Sequence, residues 1–226
     1  MTVLLVLAMF AIFITIDYVR THNRVADPLP ETLKAKDNVV TMPKQRPTTV
    51  AGFEVPEYLR YHPGHMWALQ ESPTLVRIGL DDFAARLIGK CDSITLPKRG
   101  QWIRQGQKLA TVVRDGEQAE LVSPIEGEIT NVNEELSTDT SVTCRDPYGK
   151  GWLVSVMSPD AKTNFRNLLS GEVARRWMAE AAGRLRAKTP ALAGAAAQDG
   201  GITVTELTAH IPEQSWQQLT HEFFLV

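Results

Sequence analysis

Cysteine is scarce in this sequence: the 226 residues contain two, Cys91 and Cys144. They form no CxxC pair and match no metal-ligand spacing, so a zinc or iron–sulfur site is not indicated. Both are expected as reduced thiols, half-buried in strands. Charge of one sign does not dominate either. A formal net charge of −2 supplies no general basic field, so nucleic acid is not an expected partner. There is no phosphate-cradling glycine loop, no Gly-x-Ser-x-Gly and no haem-attachment motif. His62 and His65 flank Pro63-Gly64 with no cysteine or carboxylate cluster beside them, and His65 is expected as a packed strand residue. Asp81-Asp82 reads as charge at a helix N-terminus, not as an acid/base pair. No catalytic site, metal or cofactor is therefore expected, and the chain is not read as an enzyme.

Charge is also missing from Thr2–Ile16, where TVLLVLAMFAIFITI precedes Asp17. A helix from Thr2 to Val19, rising roughly 1.5 Å per residue, matches the ~30 Å hydrocarbon core of a bilayer. It would pair its own backbone groups inside lipid, with Tyr18 at headgroup level. A cleaved signal peptide needs a basic region before the apolar run and a small-residue site after it. The segment has neither, so an uncleaved single-pass anchor is the expectation. Arg20, Arg24, Lys34, Lys36, Lys44 and Arg46 all follow the span. By the positive-inside rule the remainder faces the cytoplasm, from an inner or cytoplasmic membrane.

Four regions are expected: a transmembrane helix over 1–20, a Pro-rich linker over 21–50, a β-sandwich domain with C-terminal helices over 51–188, and a linker with an aromatic tail over 189–226. In the third, LVRIGL, DSITLP, KLATVV, AELVSP, GEITNV and WLVSVM are strand-length and rich in β-branched residues. Their spacing of about ten residues suggests a mainly β sandwich or barrel. DDFAARLI, 81–88, predicts one helix ending at Gly89. Ser170 is a candidate N-cap for a second helix, GEVARRWMAEAAGRLRAK, with Val173, Trp177, Ala181 and Leu185 as its apolar face. Its basic residues form either a solvated face or a contact for anionic lipid or a partner's acidic patch. In the tail, Pro212 suits the first turn of a short helix. Trp216, Phe223 and Phe224 either pack back on their own domain or dock on a partner, and they are carried as candidate interaction residues.

YHPGHMW (61–67), IGLDDFAARLIGKCDSITLPKRGQWIRQGQKLATV (78–112), SPIEGEITNVNEEL (123–136) and DPYGKGWLV (146–154) are spread through the third region. Together they resemble the H protein of the glycine cleavage system, a lipoyl-carrier family. Met66 stands where that family has glutamate. The resemblance covers about residues 53–165 and implies a lipoyl-type barrel-sandwich hybrid. It also implies a lysine at a hairpin tip, joined to lipoic acid, eight residues before the proline of the Ser-Pro motif. Counting from Pro124, that position is Gly116, within VVRDGEQAELVSP. No lysine occurs between Lys108 and Lys150. Arg114 is close, but a guanidinium is not an acylatable amine. Asp115-Gly116 reads as a tight hairpin turn.

The favoured expectation is a non-catalytic, unlipoylated, membrane-anchored interaction module. It would serve as an accessory or structural subunit of a membrane complex, with electron-transfer and photosynthetic assemblies among the candidates. Arg114, Asp115, Gly116 and Glu117 join the tail aromatics as candidate interaction residues. The alternatives are a tethered accessory of lipoyl or glycine-cleavage metabolism, and a carrier with a different attachment site.

Overall fold

Glycines, prolines and β-branched runs set the strand boundaries. The computed structural model describes residues 48–188 and 213–225, which lie within one unit, Gln45–Val226. In chain order the strands are β1 Thr49–Val50, β2 Phe53–Glu54, β3 Arg60–His62, β4 Met66–Gln70 and β5 Leu75–Leu80, followed by helix α1 Asp82–Ile88. Next come β6 Ser93–Thr95, β7 Trp102–Ile103, β8 Lys108–Arg114, β9 Glu117–Val122 and β10 Gly127–Val132. A 3-10 turn Glu134–Ser137, α2 Val142–Arg145, β11 Trp152–Met157, α3 Ala161–Phe165, α4 Gly171–Lys188 and α5 Glu213–Phe224 complete the order. The predicted Thr2–Val19 span, residues 21–47 of the predicted 21–50 linker, and residues 189–212 of the predicted linker and tail, Pro212 among them, lie outside the described residues; the end of the 21–50 linker instead forms β1. Among the described residues, no helix is long and apolar enough to cross a membrane.

The strands form a six-stranded sheet in the order β3-β4-β5-β11-β10-β7, a three-stranded sheet β6-β8-β9 and a β1-β2 ribbon. All pairings are antiparallel. This is the mainly β sandwich with appended helices that the strand spacing predicts. The core holds Val76, Ile78 and Leu80 of β5, Leu153, Val154 and Val156 of β11, and Val112 and Leu121 of the β8–β9 pair. Trp67 lies fully buried over Gly79. A Cβ at position 79 would sit 2.5 Å from the indole, so only glycine fits under that ring.

The motifs that carry the family resemblance prove to be joints of the fold. Tyr148 of DPYGKGW accepts the Asp82 N–H and donates to the Glu54 carbonyl, tying α1 to β2. Trp67 Nε1 donates to the Pro147 carbonyl at 3.0 Å. Asn133 donates to the Lys150 and Trp152 carbonyls and accepts the Glu135 N–H, so it fixes β10 to β11 and caps the 3-10 turn. Ser123 Oγ donates to the Ile125 carbonyl and shapes the Ser-Pro turn. Each of these groups satisfies a buried backbone partner that would otherwise carry a desolvation cost.

Two expectations are corrected. First, α4 does not bury Val173, which is 60% exposed. Its inner face is Ala174, Met178, Ala181, Ala182 and Leu185, with Trp177 partly buried. Three small alanines around Met178 let the helix approach closely, and that outweighs the β-branched valine. Second, Trp216, Phe223 and Phe224 are not offered to a partner. All three are at most 2% exposed, because α5 packs back on its own domain. Phe223 lies 4.9 Å from the Phe83 ring and meets His65 edge-on at 5.9 Å. Burying such rings against their own core removes a large apolar surface from water. Phe223→Ala should therefore cost about 3–5 kcal/mol of unfolding free energy, against about 0.5 or less for the exposed Val173→Ala. Urea denaturation of the two variants checks this contrast.

Candidate functional site at the β8–β9 hairpin

The β8 and β9 strands pair antiparallel from Lys108↔Val122 to Arg114↔Glu117, with one register shift between Lys108 and Ala110, leaving Asp115 and Gly116 as the loop. Both loop residues have positive φ, 51° and 83°. This is the two-residue turn whose twist matches that of the flanking strands, and an Asp-Gly pair is suited to it. Asp115 holds the turn with its backbone N–H, which donates to Asp92 Oδ2 at 2.9 Å. Gly116 is exposed, and a Cβ there would meet nothing within 4 Å. The constraint at this position is thus the backbone, not space.

The other predicted interaction residues divide at the tip. Glu117 is half-buried and Asp115 is exposed. Arg114 is not a free contact residue. Its Nη1 donates to the Ile88 carbonyl at 3.3 Å, and its guanidinium stands 5.7 Å above the Trp216 ring. Trp216 Nε1 donates to the Leu87 carbonyl at 2.9 Å. The last turn of α1 thus presents its orphan carbonyls to an arginine and an indole, a helix-end arrangement that satisfies groups lacking intrahelical partners. These contacts clamp the flank of the hairpin, while the Asp115-Gly116 tip stays open.

Behind the clamp lies a buried polar node that the sequence reading did not assemble. Asp81 caps α1, accepting the Ala84 N–H at Oδ1, 2.8 Å away. Its Oδ2 is 2.9 Å from His65 Nδ1. His65 stacks on Phe83 at 4.1 Å and lies 4.5 Å from Trp177. It is packed, as expected, but in the turn before β4 with φ 59° and not in a strand. The signal that could have placed it is the Pro63-Gly64 turn, which swings His65 back toward the helix. Asp81 and Asp82 do serve the helix N-terminus. Burial nevertheless pushes the Asp82 carboxyl up, against the Arg86 guanidinium that bonds it and lowers it.

The remaining candidates are structural. Cys144 Sγ donates to the Ala85 and Gly89 carbonyls, and burial pushes its thiol up to about 11. Cys91 is buried and its thiol is likewise raised, first by desolvation. Neither thiol is poised to react. No group of three metal-ligating side chains occurs among the described residues. The basic residues of α4 are held by partners within the chain. Arg175 pairs with Glu57 and Glu172, Arg176 with Glu172, and Lys188 with Glu222. Arg186 donates to the Ala51 carbonyl, and Arg184 covers the Phe223 ring.

The geometry is that of a mainly β sandwich with an exposed two-residue hairpin tip, and comparison with known proteins gives the family. Residues 59–181 match the family model described as Glycine cleavage H-protein. A "Probable glycine cleavage system H protein 2" of Sulfurisphaera tokodaii is 32% identical over 128 residues, covering 55% of this chain and 86% of that protein. A "Glycine cleavage system H protein" of Anaeromyxobacter sp. strain K is 33% identical over 109 residues, covering 48% and 84%. The solved structure of a glycine cleavage system H protein from Mycobacterium marinum has 26% identity, covers 56% of this chain and 98% of that one, and superposes with a TM-score of 0.46. The chain belongs to the glycine cleavage H-protein family.

The lipoyl group implied by that resemblance does not fit the residues present. Attachment needs an amine at the tip, and the tip offers an aspartate, a glycine and a strand-end guanidinium already bonded to Ile88. Two tests follow from the local chemistry. Gly116→Ala, forced into φ 83°, should lose about 1 kcal/mol, read by urea denaturation. The second concerns His62, whose imidazole is held below its usual range by burial and, to a smaller degree, by His65. Its Nδ1 accepts the Gly64 N–H at 3.0 Å, which favours the neutral ring. With the folded pKa depressed, this contribution is complete above pH ~6.5 and is lost as pH falls through the folded value. Thermal melts should show stability dropping between pH 7 and 5, with a shallower drop in His62→Asn.

Proposed function

We propose that this chain is an unlipoylated, non-catalytic member of the H-protein family that acts as a membrane-anchored docking module, as an accessory or structural subunit of a membrane complex. The observation that carries this reading is the hairpin tip. Asp115 and Gly116 close it in a turn with positive φ at both residues, and no lysine lies between Lys108 and Lys150. The anchor in the proposal is the charge-free Thr2–Ile16 run, and the cluster of Arg and Lys after it orients the domain toward the cytoplasm. Electron-transfer and photosynthetic complexes are among the assemblies this reading accommodates. Intact-mass measurement of the chain isolated from native membranes tests it. The expected mass is that of the unmodified sequence, and an added lipoyl group would overturn the proposal. Recovery in the membrane pellet after alkaline carbonate extraction is expected for the anchor, whereas release into the supernatant would remove that part.

A second reading keeps the chain within glycine-cleavage metabolism as a tethered accessory that carries no lipoate. It is favoured by one finding, that the relatives above bear the name glycine cleavage system H protein. It requires co-purification with a lipoyl-dependent enzyme under conditions that preserve known carrier–enzyme pairs.

A further inference from the structure

The outer face of the six-stranded sheet carries an apolar row that the fold leaves open. Trp102 of β7 pairs with Glu128 of β10, Glu128 pairs with Met157 of β11, and Met157 pairs with Leu75 of β5. Directly paired residues of an antiparallel sheet project from the same face, so these four side chains stand in one line. Four large apolar side chains are exposed among the described residues, and two of them, Trp102 at 50% and Met157 at 46%, are in this line. Glu128 lies exposed between them.

A cavity of about 280 Å³ opens beside Trp102, with Gln105, Glu126, Ser158, Asp160 and Asn164 in its wall. The wall is built by fixed amides. Gln105 Nε2 donates to the Pro124 and Asn164 carbonyls, Asn164 Oδ1 accepts the Glu126 N–H, and Asn164 Nδ2 donates to the Asp160 carbonyl. What remains unused is acidic or hydroxylic. The carboxylates of Glu126, Glu128 and Asp160 make no ion pair among the described residues. Ser158 Oγ is buried without a hydrogen-bond partner among them. Among the described residues no Lys or Arg lines the cavity.

An exposed indole beside free carboxylates suits a planar cation on an alkyl stem. Arginine is the side chain that stacks on an aromatic face and binds carboxylates through a fork of N–H donors. Met157 and Leu75 continue the row as apolar surface. We propose that this row and cavity form a docking site for a protein segment that presents an arginine between apolar side chains. An anionic membrane is the poorer occupant, because three carboxylates at the site repel its headgroups. This inference rests on the docking reading above and gives it a surface and a partner chemistry. The site does not include the hairpin tip.

The test uses the full chain in detergent micelles, labelled with 15N at tryptophan, with the Trp102 indole signal assigned by its loss in Trp102→Phe. The probe is an acetylated, amidated pentapeptide of alternating leucine and arginine. The same peptide with glutamate replacing arginine is one control, and vesicles of phosphatidylserine and phosphatidylcholine are another. Saturable movement of the Trp102 signal with the arginine peptide alone is expected, with affinity at least fivefold weaker in Glu128→Lys and weakened in Asp160→Asn. The buried Trp67 signal should hold its position in both variants, which shows that they are folded. A Trp102 signal unmoved at millimolar peptide, or equal affinity in both variants, would overturn the proposal. A response to the vesicles or the glutamate peptide in place of the arginine peptide would overturn it too. An unmodified intact mass together with a silent Trp102 would leave the docking reading standing and remove this site alone.

Discussion

One buried carboxyl group, that of Asp81, connects the β3–β4 turn, α1, α5 and the flank of the β8–β9 hairpin. Asp81 caps α1 with one oxygen and holds His65 with the other. The cap fixes where α1 starts, and through its length fixes where Leu87 and Ile88 end it. Those two residues offer the carbonyls that hold Trp216 and Arg114. The His65 ring in turn forms a wall for Phe83 and Phe223. The β3–β4 turn, α1, α5 and the flank of the hairpin therefore share one polar anchor inside an apolar core. A buried carboxyl is tolerated when its oxygens find polar partners, and here both do.

The arrangement also explains how a carrier-family domain persists without an attachment residue at its tip. The residues that hold the sandwich together are Tyr148, Asn133, Ser123 and the glycines beneath Trp67 and Met157, and none of them lies at the tip. Exchanging a tip side chain leaves those joints untouched. What changes is the chemistry available at the tip, where a two-residue turn projects only a carboxylate. Meanwhile α5 and Arg114 stiffen the strands leading to it.

Much of this was legible in the sequence, and for physical reasons. The strands β5, β8, β10 and β11 are readable because each carries β-branched apolar residues between turn residues, and β9 because its Ala119, Leu121 and Val122 follow the Asp115-Gly116 turn. Helix α1 was marked at both ends by Asp81 and Gly89, and its cap geometry follows that pattern. The turn at Asp115-Gly116 was readable because that dipeptide tolerates the backbone such a loop requires. The β1 and β7 strands have two residues each, too short for any periodicity to register. The inner face of α4 is not legible from side-chain size, because alanines pack as well as large residues when the helix sits close. The fate of the aromatic tail depended on whether a complementary surface existed in the same chain, which no local pattern reports. Arg114 was assigned to a surface role for a similar reason: its partners, Ile88 and Trp216, are remote in sequence.

On the function proposed above, this family member offers no amine that lipoylation can use. The direct measurement is to incubate the purified chain with lipoate, ATP and a lipoate–protein ligase beside a lipoylated H protein as positive control, and to map any label by peptide mass spectrometry. The account predicts complete labelling of the control and none of this chain. Label on any lysine of this chain, Lys108 at the base of the hairpin included, would contradict it.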